Sequence, residues 1–268
     1  MEKIKRIIFA VIAIPILALV LILGNKYIVD ALCSVIAILA LKEYFSVVKK
    51  VAKPVQWLGY IACALIAFIH IIPTFLLMLA VFAIPLLVII FFTQVVVTEM
   101  KYTLTDIAIT LFGMAYVIGL IVFLPLLYGS ENGKILIWYL LLSAWGTDTF
   151  AYFLGIKFGK HKITKISPKK SVEGCIAGVL GAVVTLLTYT LFVNMFTDLQ
   201  ISYVYMIPIA VALSIFAQLG DLSASSIKRN MDVKDFSNLI PGHGGVMDRI
   251  DSIIFIAPIA YFLLNLIV

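Results

Sequence analysis

Apolar residues run along the chain in nine blocks, near 7–24, 27–48, 55–72, 73–96, 103–128, 134–155, 173–195, 201–220 and 251–268. Each block is long enough to cross about 30 Å of hydrocarbon as a helix. The predicted fold is therefore all-α, a polytopic integral membrane bundle of about nine transmembrane helices. The third and fourth blocks are separated only at Ile72–Pro73. Proline suits the first position of a helix, so a tight turn there begins a new span. One long kinked segment is the alternative, and it inverts the parity of every later loop.

The basic residues favour the first choice. With nine spans and a cytoplasmic N-terminus, seventeen of the twenty Lys and Arg fall on the cytoplasmic side. Lys26 and Lys134 fall on the other, and Lys42 lies inside the second block. Such a bias is what the positive-inside rule expects, and merging the third and fourth blocks destroys it. The basic Met1–Arg6 and apolar Ile7–Gly24 have the outline of a signal peptide. The run is too long for an h-region and no small-x-small cleavage site follows, so a retained first span is expected. The compact chain without a targeting segment points to a bacterial plasma membrane.

Composition agrees. Of 268 residues, 63% are hydrophobic and only 13% charged, which excludes both a water-soluble globule and a disordered chain. The net charge of +6 is accounted for by orientation, and no nucleic-acid partner is expected. Cys33, Cys63 and Cys175 show no CxxC or Cys/His spacing and read as apolar packing residues.

Two stretches break the apolar monotony, a lysine-rich loop over 155–174 and a polar, glycine-containing stretch over 220–251. Residues 1–130 are accordingly expected to be a transmembrane portion, and residues 131–268 a second portion carrying the chemistry. If the eighth helix continues past Gly220, then Asp221, Ser225 and Lys228 share one face at i, i+4 and i+7, with Arg229 beside it. That stripe suits a metal ion and phosphates, or else it is a solvated helix end with a basic anchor. Further on, Pro241-Gly242-His243-Gly244-Gly245 forms a tight loop able to offer N–H groups to phosphate oxygens. His243 is open to either a local hydrogen bond or a phosphate. Asp248 and Asp251 stand at i, i+3 where the ninth helix starts, flanking Arg249. A helix cap explains one of these aspartates, and an oxygen-ligated Mg²⁺ explains both. Asp148 lies inside an apolar block, where a carboxylate is costly unless it faces a polar cavity. Lys169 and Lys170 precede the seventh helix and serve either an anion at its N-terminus or a cytoplasmic anchor. Asp30, Glu43 and Asp106 are assigned to structure, Glu43 paired with Lys42 or a lipid headgroup.

The run from Ser225 to Asp251 resembles the signature of the phosphatidate cytidylyltransferase (CDP-diacylglycerol synthase) family. It carries Ser225, Ile227, Lys228, Arg229, Lys234, Asp235, Ser237, Ile240, Pro241, His243, Gly244, Gly245, Val246, Asp248, Arg249, Ile250 and Asp251 without a departure. Gly220-Asp221-Leu222 and Ser167-Pro168-Lys169-Lys170, followed by Glu173-Gly174, are similar to the family too, with Ser171 where Thr is expected. The detailed resemblance covers about residues 140–251.

The resemblance implies a reaction in phospholipid biosynthesis, CTP plus phosphatidate giving CDP-diacylglycerol and pyrophosphate. It also implies Mg²⁺, a second cation such as K⁺, and a homodimer among membrane lipids, with the site facing the cytoplasm. Asp221, Asp248, Lys228 and Arg229 are the expected catalytic residues. Asp221, Asp248 and Asp251 are the expected metal ligands. Asp148, Lys169, Lys170, Ser225, Lys234, His243, Gly244, Gly245 and Arg249 are expected on the substrates. Rival readings are a CTP-dependent lipid kinase, a CDP-alcohol phosphotransferase, whose Asp-Gly-x-x-Ala-Arg string is absent, and a transporter with intramembrane acids.

Overall fold

The computed structural model describes residues 2–72, 83–99, 101–240, 242 and 244–268. Pro73, on which the parity turns, lies outside them, as do Pro241 and His243. In chain order the helices are α1 (Glu2–Leu23), α2 (Lys26–Val48), α3 (Gln56–Leu65), α4 (Ala83–Val97), α5 (Leu104–Ile121), α6 (Phe123–Tyr128), α7 (Gly133–Phe158), α8 (Val172–Phe196), α9 (Tyr203–Asn230) and α10 (Met247–Ile267). A short 3₁₀ turn, Ile66–Phe68, follows α3. The described residues outside these elements form loops with isolated bridges. The expected all-α membrane fold is therefore observed.

Among the described residues, each of the nine apolar blocks contributes to a helix. Among the described residues, five stretches are long and apolar enough to cross a membrane, namely Lys26–Val48, Leu104–Tyr128, Val172–Phe196, Tyr203–Asn230 and Met247–Ile267. Val11–Leu23, Gln56–Phe68 and Leu86–Val97 are shorter apolar helical stretches. The block at 134–155 lies in α7, whose second half is diluted by Ser143, Gly146, Thr147 and Asp148. Large apolar side chains such as Val204 and Leu266 stay exposed on outer faces, as suits contact with lipid.

The chain divides into two compact units, Met1–Val122 with Phe236–Met247, and Phe123–Asp235 with Asp248–Val268. In the first, α2 packs on α3 and α5. A core of Val55, Phe91, Ile107 and Met114 gathers α4 and α5 with the turn before α3. The loop after α2 is tied down by α5: Asp106 accepts from the Lys53 amide at 2.5 Å, and Thr110 from that of Val55 at 3.0 Å. Asp106 also completes a capping box with Thr103. Asp30, fully buried, meets His70 Nδ1 at 2.9 Å. The structural roles expected of Asp30 and Asp106 are the ones seen. Glu43 behaves differently from expectation: its carboxylate turns to Ser237, Val246 and Met247 of the same unit. The cause is burial, since Glu43 has no access to a headgroup and must find donors inside the protein.

In the second unit α8 lies against α7, and α9 packs on both. Small residues permit the approach. A Cβ added to Gly174 would come within 3.2 Å of the Gly155 Cα, and one on Gly178 within 3.1 Å of the Thr147 carbonyl. Polar pairs bridge the same seams. Thr147 donates to Ser214 at 2.8 Å, Tyr139 to Thr190 at 3.1 Å, and Gln218 to the Cys175 carbonyl at 3.2 Å. Gly220 lets α9 reach α10, where an added Cβ would meet the Asp251 carbonyl at 2.8 Å.

Candidate active site

Three helices of the second unit and a loop between two of them surround a cavity of about 560 Å³. One wall is a single face of α7, stepping through Asp148, Ala151, Tyr152, Gly155 and Ile156 and ending at the C-cap Gly159. The loop after α7 supplies Lys162, Lys169, Lys170 and Ser171. The start of α8 supplies Gly174 and Cys175, and α9 supplies Gln218. The volume suits a small-molecule ligand, and the lining mixes apolar wall with convergent charge.

The lysines are held by the local fold. An antiparallel bridge between Lys162 and Ser171 closes the loop on itself. Val172 donates to the His161 carbonyl at 2.9 Å, and Lys170 to that of Ser167 at 3.0 Å. Glu173, in the first turn of α8, accepts from the amides of Lys160 and His161 and meets His161 Nδ1 at 2.5 Å. Ser171 caps α8 through the Gly174 amide at 3.2 Å. The hydroxyl that Ser171 keeps where threonine is expected thus serves as a cap. Lys170 is aimed at α9, donating to the Gln218 carbonyl at 3.3 Å and to Asp221 at 2.6 Å.

The expected continuation of the eighth span past Gly220 is observed: α9 runs to Asn230, so Asp221, Ser225 and Lys228 lie on one helix. Ser225 and Lys228 are buried, and Lys228 donates to Asp248 at 2.6 Å with side-chain exposures of 9% and 2%. Asp248 and Asp251 both stand in the first turns of α10 and are buried. Asp148, Asp221 and Asp251 lie within electrostatic reach of one another. Lys170 and Arg249 act on Asp148, and Lys228 acts on Asp251. The result is a cluster of carboxylates and cations drawn from α7, the lysine loop, α9 and α10.

Not every expected residue joins it. Arg229 is exposed and donates to the Val233 carbonyl at 3.0 Å, closing the end of its own helix. Lys234 is exposed in the loop that follows. Gly244 and Gly245 fall in the first unit, and His243 lies outside the described residues. Gly242 and Gly244 adopt positive φ of 79° and 84°, and the Ile240 amide donates to the Gly244 carbonyl at 2.9 Å. Among the residues not foreseen, Tyr152, Gly155, Ile156 and Gly159 line the cavity. The signal was present, since they recur at helical spacing from Asp148.

For a metal ion, the donor chemistry of the cluster is suitable. Asp148, Asp221 and Asp251 present only hard carboxylate oxygens, and a divalent cation held among them would relieve the repulsion between them. Among the described residues no three His, Cys, Asp or Glu side chains already close on a single point. In this arrangement lysine ammoniums neutralise Asp221 and Asp248.

The sequence profile of the cytidylyltransferase family matches residues 4–267. The chain belongs to that family. Among curated proteins it is similar to the phosphatidate cytidylyltransferase of Bacillus subtilis, with 45% identity over 138 residues, which is 51% of this chain and 50% of that protein. The phosphatidate cytidylyltransferase of Thermotoga maritima is 40% identical over 149 residues, 54% of each chain. That of Staphylococcus epidermidis is 37% identical over 171 residues, 63% of each. The chain thus spans between half and two thirds of the length of these family members.

Proposed function

We propose that this protein transfers the cytidylyl group of CTP to phosphatidate, giving CDP-diacylglycerol and pyrophosphate. The observation that carries the reading is the cluster of Asp148, Asp221, Asp248 and Asp251 with Lys170, Lys228 and Arg249, gathered from membrane helices beside a ligand-sized cavity. Family membership and the names of the relatives support it.

Both reactants are anions, so bringing them together is the main barrier. A phosphate oxygen of phosphatidate attacks the α-phosphorus of CTP. The bond from that phosphorus to the bridging oxygen of the β-phosphate breaks, and pyrophosphate leaves with the electron pair. The nucleophile is already ionised, so no general base is needed. Lys169 and Lys170, on the closed loop, hold the triphosphate. Lys228 and Arg249 place charge along α9 and α10, and Ser225 offers a hydroxyl. Mg²⁺ would be held by Asp221, Asp248 and Asp251 with Asp148, and when bound would supply charge neutralisation. Tyr152 and Ile156, exposed on the apolar wall, receive the lipid portion beside the polar floor. A second cation such as K⁺, a homodimer, and a site facing the cytoplasm of the plasma membrane belong to the same proposal.

The test is a product assay on the purified protein in detergent, with phosphatidate, Mg²⁺ and CTP labelled at the α-phosphate. Label recovered in a lipid, with one pyrophosphate released per lipid, is the expected result. Labelled CDP without labelled lipid would instead identify a CTP-dependent lipid kinase.

A further inference from the structure

Glu43 sits on α2, remote in sequence from every motif that carries the proposed chemistry, and is only 5% exposed. A buried anion requires donors. Among the described residues Glu43 meets three within Phe236–Met247: the Ser237 hydroxyl at 2.6 Å, the Val246 amide at 2.9 Å and the Met247 amide at 2.8 Å. Met247 is the first residue of α10, where amides have no partner inside the helix. A carboxylate suits that end of a helix because the backbone dipoles leave it positive. Gly245 completes the clasp. A Cβ there would lie 2.3 Å from Glu43 Oε2 and 2.7 Å from Oε1. Its φ is not among the positive ones, so space rather than backbone conformation requires glycine at this position. Two signature residues, Ser237 and Gly245, thereby acquire a task separate from any phosphate. The amides of Val246 and Met247 are engaged as well. The next residue in the chain is Asp248.

We infer that Glu43 is a positioning residue for the cytidylyl transfer. Its carboxylate fixes the glycine-rich segment and the first turn of α10, and so sets the register in which Asp248 and Asp251 are presented. The inference rests on the transferase reading given above.

Its test compares Glu43→Ala, Glu43→Gln, Gly245→Ala and the double variant Glu43→Ala/Gly245→Ala with the parent protein in detergent. Steady-state kinetics on CTP and phosphatidate is read beside amide hydrogen exchange over residues 236–247. Glu43→Ala is expected to lower kcat about 100-fold, the scale on which a small misplacement acts, while leaving KM for both substrates nearly unchanged. Exchange at Val246 and Met247 rises, and exchange along α8 does not. Gly245→Ala gives a similar loss. The double variant is no worse than either single, because removal of the carboxylate opens the space that the new methyl needs. Glu43→Gln retains one acceptor oxygen and recovers part of both signals. An unchanged kcat in Glu43→Ala, with or without faster exchange, overturns the positioning role. Losses that multiply in the double variant overturn the clasp. Should Glu43→Ala fail to insert, Glu43→Gln and Gly245→Ala carry the same comparison. A parent protein that forms no labelled lipid sinks the transferase reading instead, and the exchange data still decide whether the clasp exists.

Discussion

Two lysine–aspartate pairs in the second unit share the same 2.6 Å contact and differ in almost everything else. Lys228 and Asp248 are sealed, with 9% and 2% of their side chains exposed. Lys170 and Asp221 keep 22% and 35%, and Lys170 belongs to the wall of the cavity. A sealed pair has lost its hydration on both sides and depends on its partner, so removing one member strands a buried charge. A pair in contact with solvent gives up little when it separates. The difference assigns them distinct tasks at one site. Lys228–Asp248 is a fixed strut joining α9 to α10. Lys170–Asp221 is an open contact that, under the proposed reaction, would give way to substrate, the lysine then facing the triphosphate and the aspartate being free to help hold a metal ion.

The largest expected effect follows from the strut. Asp248→Asn removes the anion that the buried Lys228 ammonium meets at 2.6 Å and should cost about 3–5 kcal/mol of stability along with the loss of transfer. Replacing both partners, as in Lys228→Met/Asp248→Leu, should restore the unfolding midpoint in detergent while transfer stays absent. A midpoint that Asp248→Asn does not move would erase the distinction between the two pairs. Next in size is the open pair. Lys170→Ala should change stability by less than about 1 kcal/mol. It should raise the KM for CTP about tenfold, equivalent to ~1.4 kcal/mol of binding. A normal KM for CTP would make Lys170 an anchor rather than a phosphate contact. The smallest effect is expected at a neutral bridge of comparable burial. Thr147→Val removes the bond to Ser214 between α7 and α9, and such interhelical bonds are worth about 0.6 kcal/mol in membrane proteins. A loss several times larger, read in the same unfolding experiment, would show that charge is not what separates the strut from its surroundings.

The helices were legible because a membrane protein writes its spans as long apolar blocks. The stripe of Asp221, Ser225 and Lys228 was legible for a related reason: helical spacing turns a sequence interval into a shared face, and α9 extends through all three. The same rule reached Asp248 and Asp251 on α10. It would also have reached the cavity wall on α7, had spacing been followed on from Asp148. Partners distant along the chain were out of reach. Asp221 meets Lys170 and Lys228 meets Asp248 only after three helices have packed, and no interval in the sequence encodes that packing. Arg229 misled because it adjoins the active face in sequence, while its guanidinium serves the carbonyl of Val233. Glu43 misled most. Its donors lie 194 to 204 residues away, and a lone glutamate beside a lysine invites a local explanation.

That separation carries a consequence for biogenesis. The ribosome releases α2 early, and the N-terminal part of a chain ordinarily folds first. Here the first 122 residues contain a carboxylate whose donors are made only when residues 237–247 emerge. Until then the N-terminal unit waits, inserted and unfinished, for the helices of the second unit that precede that segment to be translated. A loop synthesised after most of the second unit is the keystone of the first, so a gene split near residue 122 would separate an arch from the stone that closes it.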